Sequence, residues 1–141
     1  MFLFDKERCT GCGACILACI DAHTPDPNAA PARYRRLVSE ESVSADGVPR
    51  IRYEILSCHH CAAPRCQRVC PVKAIQQTED GYIRIDIESC VGCGACARVC
   101  PFHAIEIKAG IPNKCPGCSE HFCQKACPWN AIRWVDPEVK K

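Results

Sequence analysis

The sequence predicts an α+β fold of short strands, short helices and mostly loop, organised by bound metal rather than by an apolar core. Three observations lead there. Sixteen of the 141 residues are Cys, while Ile, Leu, Val and Phe together number only 29, and a chain of this size with so few large apolar side chains needs cross-links or metal to fold. The cysteines divide into four groups of four with none left over. Between the groups, apolar residues alternate at strand period over short runs bounded by Gly, Pro and Asp turn signals.

From the N-terminus, Cys9, Cys12, Cys15 and Cys19 are spaced Cys-x2-Cys-x2-Cys-x3-Cys, and Cys90, Cys93, Cys96 and Cys100 repeat that spacing. Cys58, Cys61, Cys66 and Cys70 form Cys-x2-Cys-x4-Cys-x3-Cys, shared by Cys115, Cys118, Cys123 and Cys127. Three repeats continue alike: Pro71-Val72-Lys73-Ala74-Ile75, Pro101-Phe102-His103-Ala104-Ile105 and Pro128-Trp129-Asn130-Ala131-Ile132. The first departs, with Ile20-Asp21-Ala22 after Cys19.

Three thiolates two to four residues apart wrap a loop around one cubane, and the fourth, followed by Pro, is expected on a short helix leading away. In the bacterial two-cluster arrangement that fourth Cys ligates the neighbouring cluster, so motifs work in stitched pairs and four motifs give four 4Fe-4S clusters. Structural zinc instead joins two Cys-x2-Cys knuckles a dozen or more residues apart. Disulfides need an oxidising compartment. A zinc-bound interaction module is the structural alternative.

Between the first two motifs lie Asp26-Pro27-Asn28 and Pro31, then alternating runs from Tyr34 to Val38 and from Ile51 to Ile55 around Asp46-Gly47. They predict a hairpin or extended arm that caps the outer motifs, or touches a partner subunit. Thr78-Glu79-Asp80-Gly81 is a turn signal. After it, Tyr82 to Ile87 puts Ile83, Ile85 and Ile87 on one strand face, with Ala104-Ile105-Glu106-Ile107 as the expected partner strand. Gly11, Gly13, Gly92, Gly94 and Gly117 sit beside the cysteines in loops that must wrap closely. Gly11-Cys12-Gly13 lacks the strand-then-helix frame and the Lys-Ser/Thr of a phosphate loop.

Other residues carry less. His59 and His60, next to Cys58 and Cys61, are read as neighbours of the ligands rather than ligands, as are His103 and His121. Trp129 and Trp134 are expected to pack around the outer motifs, with electron relay as the alternative. Arg65, Arg68, Arg98 and Arg133 balance charge or dock a partner. Nothing resembles a nucleophile, a substrate-activating dyad or a nucleotide loop, so the chain reads as non-catalytic. The N-terminus reaches a charge at Asp5, the Arg35-Arg36 pair sits mid-chain with no apolar run behind it, and no stretch approaches a membrane span. The expected location is the cytoplasm, where thiols stay reduced.

The motif order, tight in the first and third and x4 in the second and fourth, resembles the four-cluster ferredoxin-type iron–sulfur subunits of molybdenum and tungsten oxidoreductases and some hydrogenases, dimethyl sulfoxide reductase and formate dehydrogenase among them. The resemblance runs from Phe4 to Val135. It implies that one cluster takes Cys9, Cys12, Cys15 and Cys127, and its neighbour Cys115, Cys118, Cys123 and Cys19. A third takes Cys58, Cys61, Cys66 and Cys100, and the fourth Cys90, Cys93, Cys96 and Cys70. The implied architecture is two bacterial dicluster ferredoxin-like modules, the inner one (57–109) inserted into the outer one (1–25 plus 110–141), with 26–56 as the arm.

The expected role is a one-electron wire. Its partners would be a catalytic subunit with a molybdenum- or tungsten-pterin or nickel–iron site, as in tungsten aldehyde oxidoreductase complexes, and a flavoprotein. A free polyferredoxin shuttling between enzymes is the alternative. Each oxidised cluster held by four thiolates carries two negative charges, so the formal charge of +2 moves to roughly −6 with four clusters bound. No nucleic-acid partner is therefore expected.

Overall fold

The residue after the fourth cysteine of each motif decides where the local helix stops. Proline disfavours helical geometry in the residue before it, and Cys70, Cys100 and Cys127 each precede one. The computed structural model describes residues 1–136, and in it the helices lie between the third and fourth cysteines rather than leading away from the fourth, which corrects the expectation from sequence. Helix α1 (Ala14–His23) carries Cys15 and Cys19. Helices α2 (Arg65–Arg68), α3 (Ala95–Val99) and α4 (Phe122–Lys125) are one turn each, starting just before the third cysteine and ending before the fourth. Only α1 runs on for ten residues, because Ile20 stands where the other motifs have Pro.

Each sheet among the described residues is a two-stranded antiparallel pair. Strand β1 (Phe2–Phe4) pairs with β8 (Ile132–Trp134), with Phe2 opposite Trp134 and Phe4 opposite Ile132. Strands β2 (Arg36–Val43) and β3 (Pro49–Leu56) form the expected hairpin, with Leu37 opposite Ile55. Strand β4 (Ile75–Gln77) pairs with β5 (Ile83–Ile85), and β6 (Glu106–Lys108) with β7 (Ile111–Asn113). The expected pairing of Ala104–Ile107 with Tyr82–Ile87 does not occur. The Thr78–Gly81 turn, closed by Thr78 N–H to Tyr82 O at 2.8 Å, folds β5 back on β4, and the Ala109-Gly110 turn gives β6 its own partner. Ile87 lies beyond β5 and is exposed, whereas Ile83 is buried.

Three small cores replace one large one. Phe2, Ile55 and Ile132 pack with Cys15 and Cys123. Ile75, Ile83 and Ile105 pack with Cys96. Ala104 packs with Cys58 and Cys115, flanked by Tyr34, Cys100 and Phe102. Helix α1 packs against α4, and α2 against α3, so elements from the two ends of the chain meet. Arg36 ties the hairpin to the 103–106 segment through Glu106 at 2.9 Å and the His103 carbonyl at 2.7 Å. Among the described residues no helix is long and apolar enough to cross a membrane.

Candidate metal centre

Three cavities each gather one set of four cysteines drawn from two motifs. One is lined by Cys9, Cys12, Cys15 and Cys127. A second is lined by Cys70, Cys90, Cys93 and Cys96. A third is lined by Cys58, Cys61, Cys66 and Cys100. The remaining four, Cys19, Cys115, Cys118 and Cys123, lie near enough to act on one another's charge, across the α1–α4 contact. Among the described residues no group of three His, Cys, Asp or Glu side chains is placed to hold a single metal ion.

The cores arrange these sets in a row. The first core joins Cys9, Cys15 and Cys127 to Cys123. The third joins Cys115 to Cys58 and Cys100, and the second joins Cys66 and Cys100 to Cys70 and Cys96.

The repeated Cys-Pro-x-x-Ala segment has a local function. Lys73, His103 and Asn130 all adopt positive φ, at 54°, 47° and 50°. That kink turns the next amide back, so Ala74 N–H donates to Cys70 Sγ at 3.3 Å, Ala104 N–H to Cys100 Sγ at 3.5 Å and Ala131 N–H to Cys127 Sγ at 3.3 Å. Such bonds stabilise negative charge on sulfur and help to set the potential of an iron–sulfur cluster. Cys19 sits inside α1, where no such kink occurs.

His60 occupies the motif position held by Gly11, Gly92 and Gly117 elsewhere, and shares their left-handed geometry, with φ 51°. Its ring is buried, and its Nδ1 accepts the Ile83 N–H at 2.9 Å, so the proton of the neutral ring sits on Nε2, which has no partner. Burial, reinforced by the Lys114 and Arg35 charges, pushes its pKa down to about 2. His59 stacks on Phe102 with ring centroids 3.7 Å apart, and burial lowers it to about 4. Both read as neutral neighbours of the cysteines. His121 meets the Tyr82 hydroxyl through Nε2 at 2.9 Å. Trp134 packs against Phe2, Tyr82 and His121, while Trp129 is largely exposed at the rim of the first cavity. Arg65 lines the third cavity, and Arg98 Nη1 donates to the Cys93 carbonyl at 3.2 Å. Arg68 and Arg133 are exposed.

Two buried cations escape a reading of the sequence. Arg35 is 4% exposed and Lys114 6% exposed. Arg35 Nη2 donates to Cys123 Sγ at 2.8 Å, while its Nε and Nη1 have no partner. The Lys114 ammonium donates to the Ile83 and Cys115 carbonyls. Basic side chains are rarely buried unless paired, and composition gives no sign of which ones will be. The one available signal is position: Arg35 opens the hairpin that covers the outer motifs, and Lys114 directly precedes Cys115.

These features fit a 4Fe-4S cofactor. Four cysteines line each of the three cavities, amides point at sulfurs, and buried positive charge lies near them without a carboxylate partner among the described residues. Burial raises the thiols of Cys15 and Cys66 to about 11 and that of Cys123 to about 12, with Arg35 pulling Cys15 and Cys123 the other way. To hold iron these thiols would give up their protons, since the thiolate is the ligand.

Comparison with known proteins agrees with this chemistry. Residues 8–74 match the 4Fe-4S dicluster domain and residues 83–106 the 4Fe-4S binding domain. The sequence is 36% identical to the B subunit of the anaerobic dimethyl sulfoxide reductase of Haemophilus influenzae, over 93% of this protein and 71% of that one. It is 28% identical to the thiosulfate reductase electron transfer subunit of Salmonella typhi, covering 95% and 74%. It is 37% identical to an uncharacterized ferredoxin of Methanocaldococcus jannaschii, covering 92% and 68%.

Proposed function

The protein belongs to the 4Fe-4S electron-transfer subunits of molybdopterin oxidoreductases, and on that basis we propose that it is a four-cluster wire between a catalytic subunit and a second redox partner. The catalytic subunit would hold a molybdenum- or tungsten-pterin site, and the second partner would be a flavoprotein. Each cluster, when bound, takes or gives one electron with little change of shape.

The ligand sets are Cys9, Cys12, Cys15 and Cys127; Cys19, Cys115, Cys118 and Cys123; Cys58, Cys61, Cys66 and Cys100; and Cys70, Cys90, Cys93 and Cys96. The observation that carries this reading is the make-up of three cavities, each lined by three cysteines of one motif and the fourth of another. The outer module, 1–25 with 110–141, draws support from the β1–β8 and α1–α4 contacts. The inner module, 57–109, draws it from the α2–α3 contact, with the 26–56 hairpin between them. We place this work in the cytoplasm, whose reducing conditions keep so many thiols available for cluster assembly.

Anaerobic purification from native cells tests the proposal. The expected result is about 16 iron and 16 sulfide per chain, with a large oxidoreductase subunit co-purifying. A colourless, zinc-dominated protein would falsify it. The M. jannaschii relative, named a ferredoxin, favours a free shuttle as the second reading. A monomer on gel filtration of native extract, with full iron, would support that reading over the complex.

A further inference from the structure

The four sites are not supplied with hydrogen bonds in the same way. Cys70, Cys100 and Cys127 each receive a backbone N–H from the Ala four residues on, so three sites contain one such bond. The fourth site, Cys19 with Cys115, Cys118 and Cys123, has none from this source. Its fourth cysteine lies within α1, and the amides that follow it are engaged in the helix. That same site is the one reached by Arg35, whose Nη2 donates to Cys123 Sγ at 2.8 Å.

Aromatic rings also pack against the guanidinium. Its central carbon lies 5.4 Å from the centre of the Phe2 ring and 5.6 Å from that of Phe4. Phe2 is fully buried, so the group cannot swing to water without opening the first core. Nε and Nη1 remain buried with no partner, and buried donors left unsatisfied are costly. The acceptor within its reach is a sulfur, Cys123 Sγ.

We propose that Arg35 is a potential-setting residue. It supplies to the Cys19/Cys115/Cys118/Cys123 cluster, as a fixed buried charge with N–H···S donation, the stabilisation that the Cys-Pro-x-x-Ala amide supplies at the other three sites. The inference rests on the four-cluster reading above. An added electron makes that cluster one unit more negative, and the guanidinium, always protonated, faces that charge without any proton moving. Arg35 therefore raises the potential of this cluster relative to the same cluster beside a neutral side chain.

The test compares wild type, Arg35→Gln and Arg35→Lys, purified anaerobically as the full chain, by dithionite titration followed with electron paramagnetic resonance. Cys19→Ser marks which signal belongs to the site. In Arg35→Gln the marked couple should move to lower potential by at least a tenfold change in its oxidised-to-reduced ratio, about 59 mV for one electron. The two couples of the 58–100 motifs should stay in place, and Arg35→Lys should recover most of the shift. Unmoved couples in a fully iron-loaded Arg35→Gln overturn the proposal, as does an equal shift in Arg35→Lys. If Arg35→Gln loses one cluster and Arg35→Lys keeps all four, the charge requirement is supported. Equal loss in both shows a packing role and overturns it. A wild type without four clusters removes the functional reading as well, whereas full iron with unmoved couples removes only Arg35.

Discussion

A methyl group added at Gly92 should dislodge one metal site, while the same methyl at Gly13 should be tolerated. Both glycines lie in cysteine loops with positive φ, 67° and 75°, so alanine costs each about 1–2 kcal/mol for left-handed geometry. Their surroundings differ. A Cβ at Gly13 meets nothing within 4 Å, whereas one at Gly92 lies 2.4 Å from the Gly110 carbonyl oxygen, 3.3 Å from its carbon and 3.4 Å from its Cα.

Relief at Gly92 needs the β6–β7 turn to retreat by about 1 Å. That turn is itself fixed, since Ala109 and Gly110 both hold positive φ and the turn joins two paired strands. Overpacking of this kind costs about 1–3 kcal/mol, which brings Gly92→Ala to about 2–5 kcal/mol, concentrated on the Cys90–Cys96 loop. The assay is iron and sulfide content after anaerobic gel filtration, with the rate of bleaching by a chelator. Gly13→Ala should keep all its iron. Gly92→Ala should lose about a quarter of it, or bleach in a distinct fast phase. Equal iron and equal bleaching in the two variants would refute the steric argument.

Other perturbations separate the remaining claims. Cys19→Ser should alter the signal of the cluster held by Cys115, Cys118 and Cys123; loss of the cluster at Cys9–Cys15 alone would show that the proposed pairing is wrong. Phe2→Ala removes a fully buried ring from the first core and should cost about 3–5 kcal/mol, seen as a lower midpoint in denaturant. Arg36→Gln breaks exposed contacts to Glu106 and the His103 carbonyl and should cost no more than about 1 kcal/mol; a larger loss would mean the hairpin depends on that tie. The buried thiols give a pH dependence whose sign follows from their raised values. Folded-state pKa values of about 11 to 12 for Cys15, Cys66 and Cys123 lie above the ordinary thiol value, so in the iron-free chain their contribution is intact below about 9. It is lost as pH rises from there through about 11–12. Below 9, iron must displace a proton from each thiol, so chelator competition should strip clusters more readily at pH 6 than at pH 8, and equal resistance at both would contradict it.

Much of the site is legible in the sequence because its determinants are local. Three cysteines within a few residues, and a proline after the fourth, act over distances that a short loop spans whatever the rest of the chain does. Even the departure at Ile20 has a local consequence, a longer α1. The strand partners are less legible: alternation alone matches Tyr82–Ile87 to 104–107, but tight turns give each segment a nearer partner, Ile75–Gln77 for one and Ile111–Asn113 for the other. His60 is visible as a residue beside two cysteines, yet its significance lies in occupying a glycine position, which emerges only when the four motifs are laid over one another.

The order of residues dictates the chemistry: sixteen thiols in four local motifs specify iron–sulfur binding, because three sulfurs a few residues apart can share one cubane. The folded arrangement sets what those loops meet. Cys127 reaches the Cys9–Cys15 loop because β1 and β8 pair across nearly the whole chain, a contact no local pattern encodes. Arg35 and Arg36 are adjacent and chemically identical, yet one turns inward to Cys123 and the other outward to Glu106. Their difference is set by where the hairpin lies on the packed motifs, since burial and charge partners are properties of the assembled fold and not of a residue's own side chain.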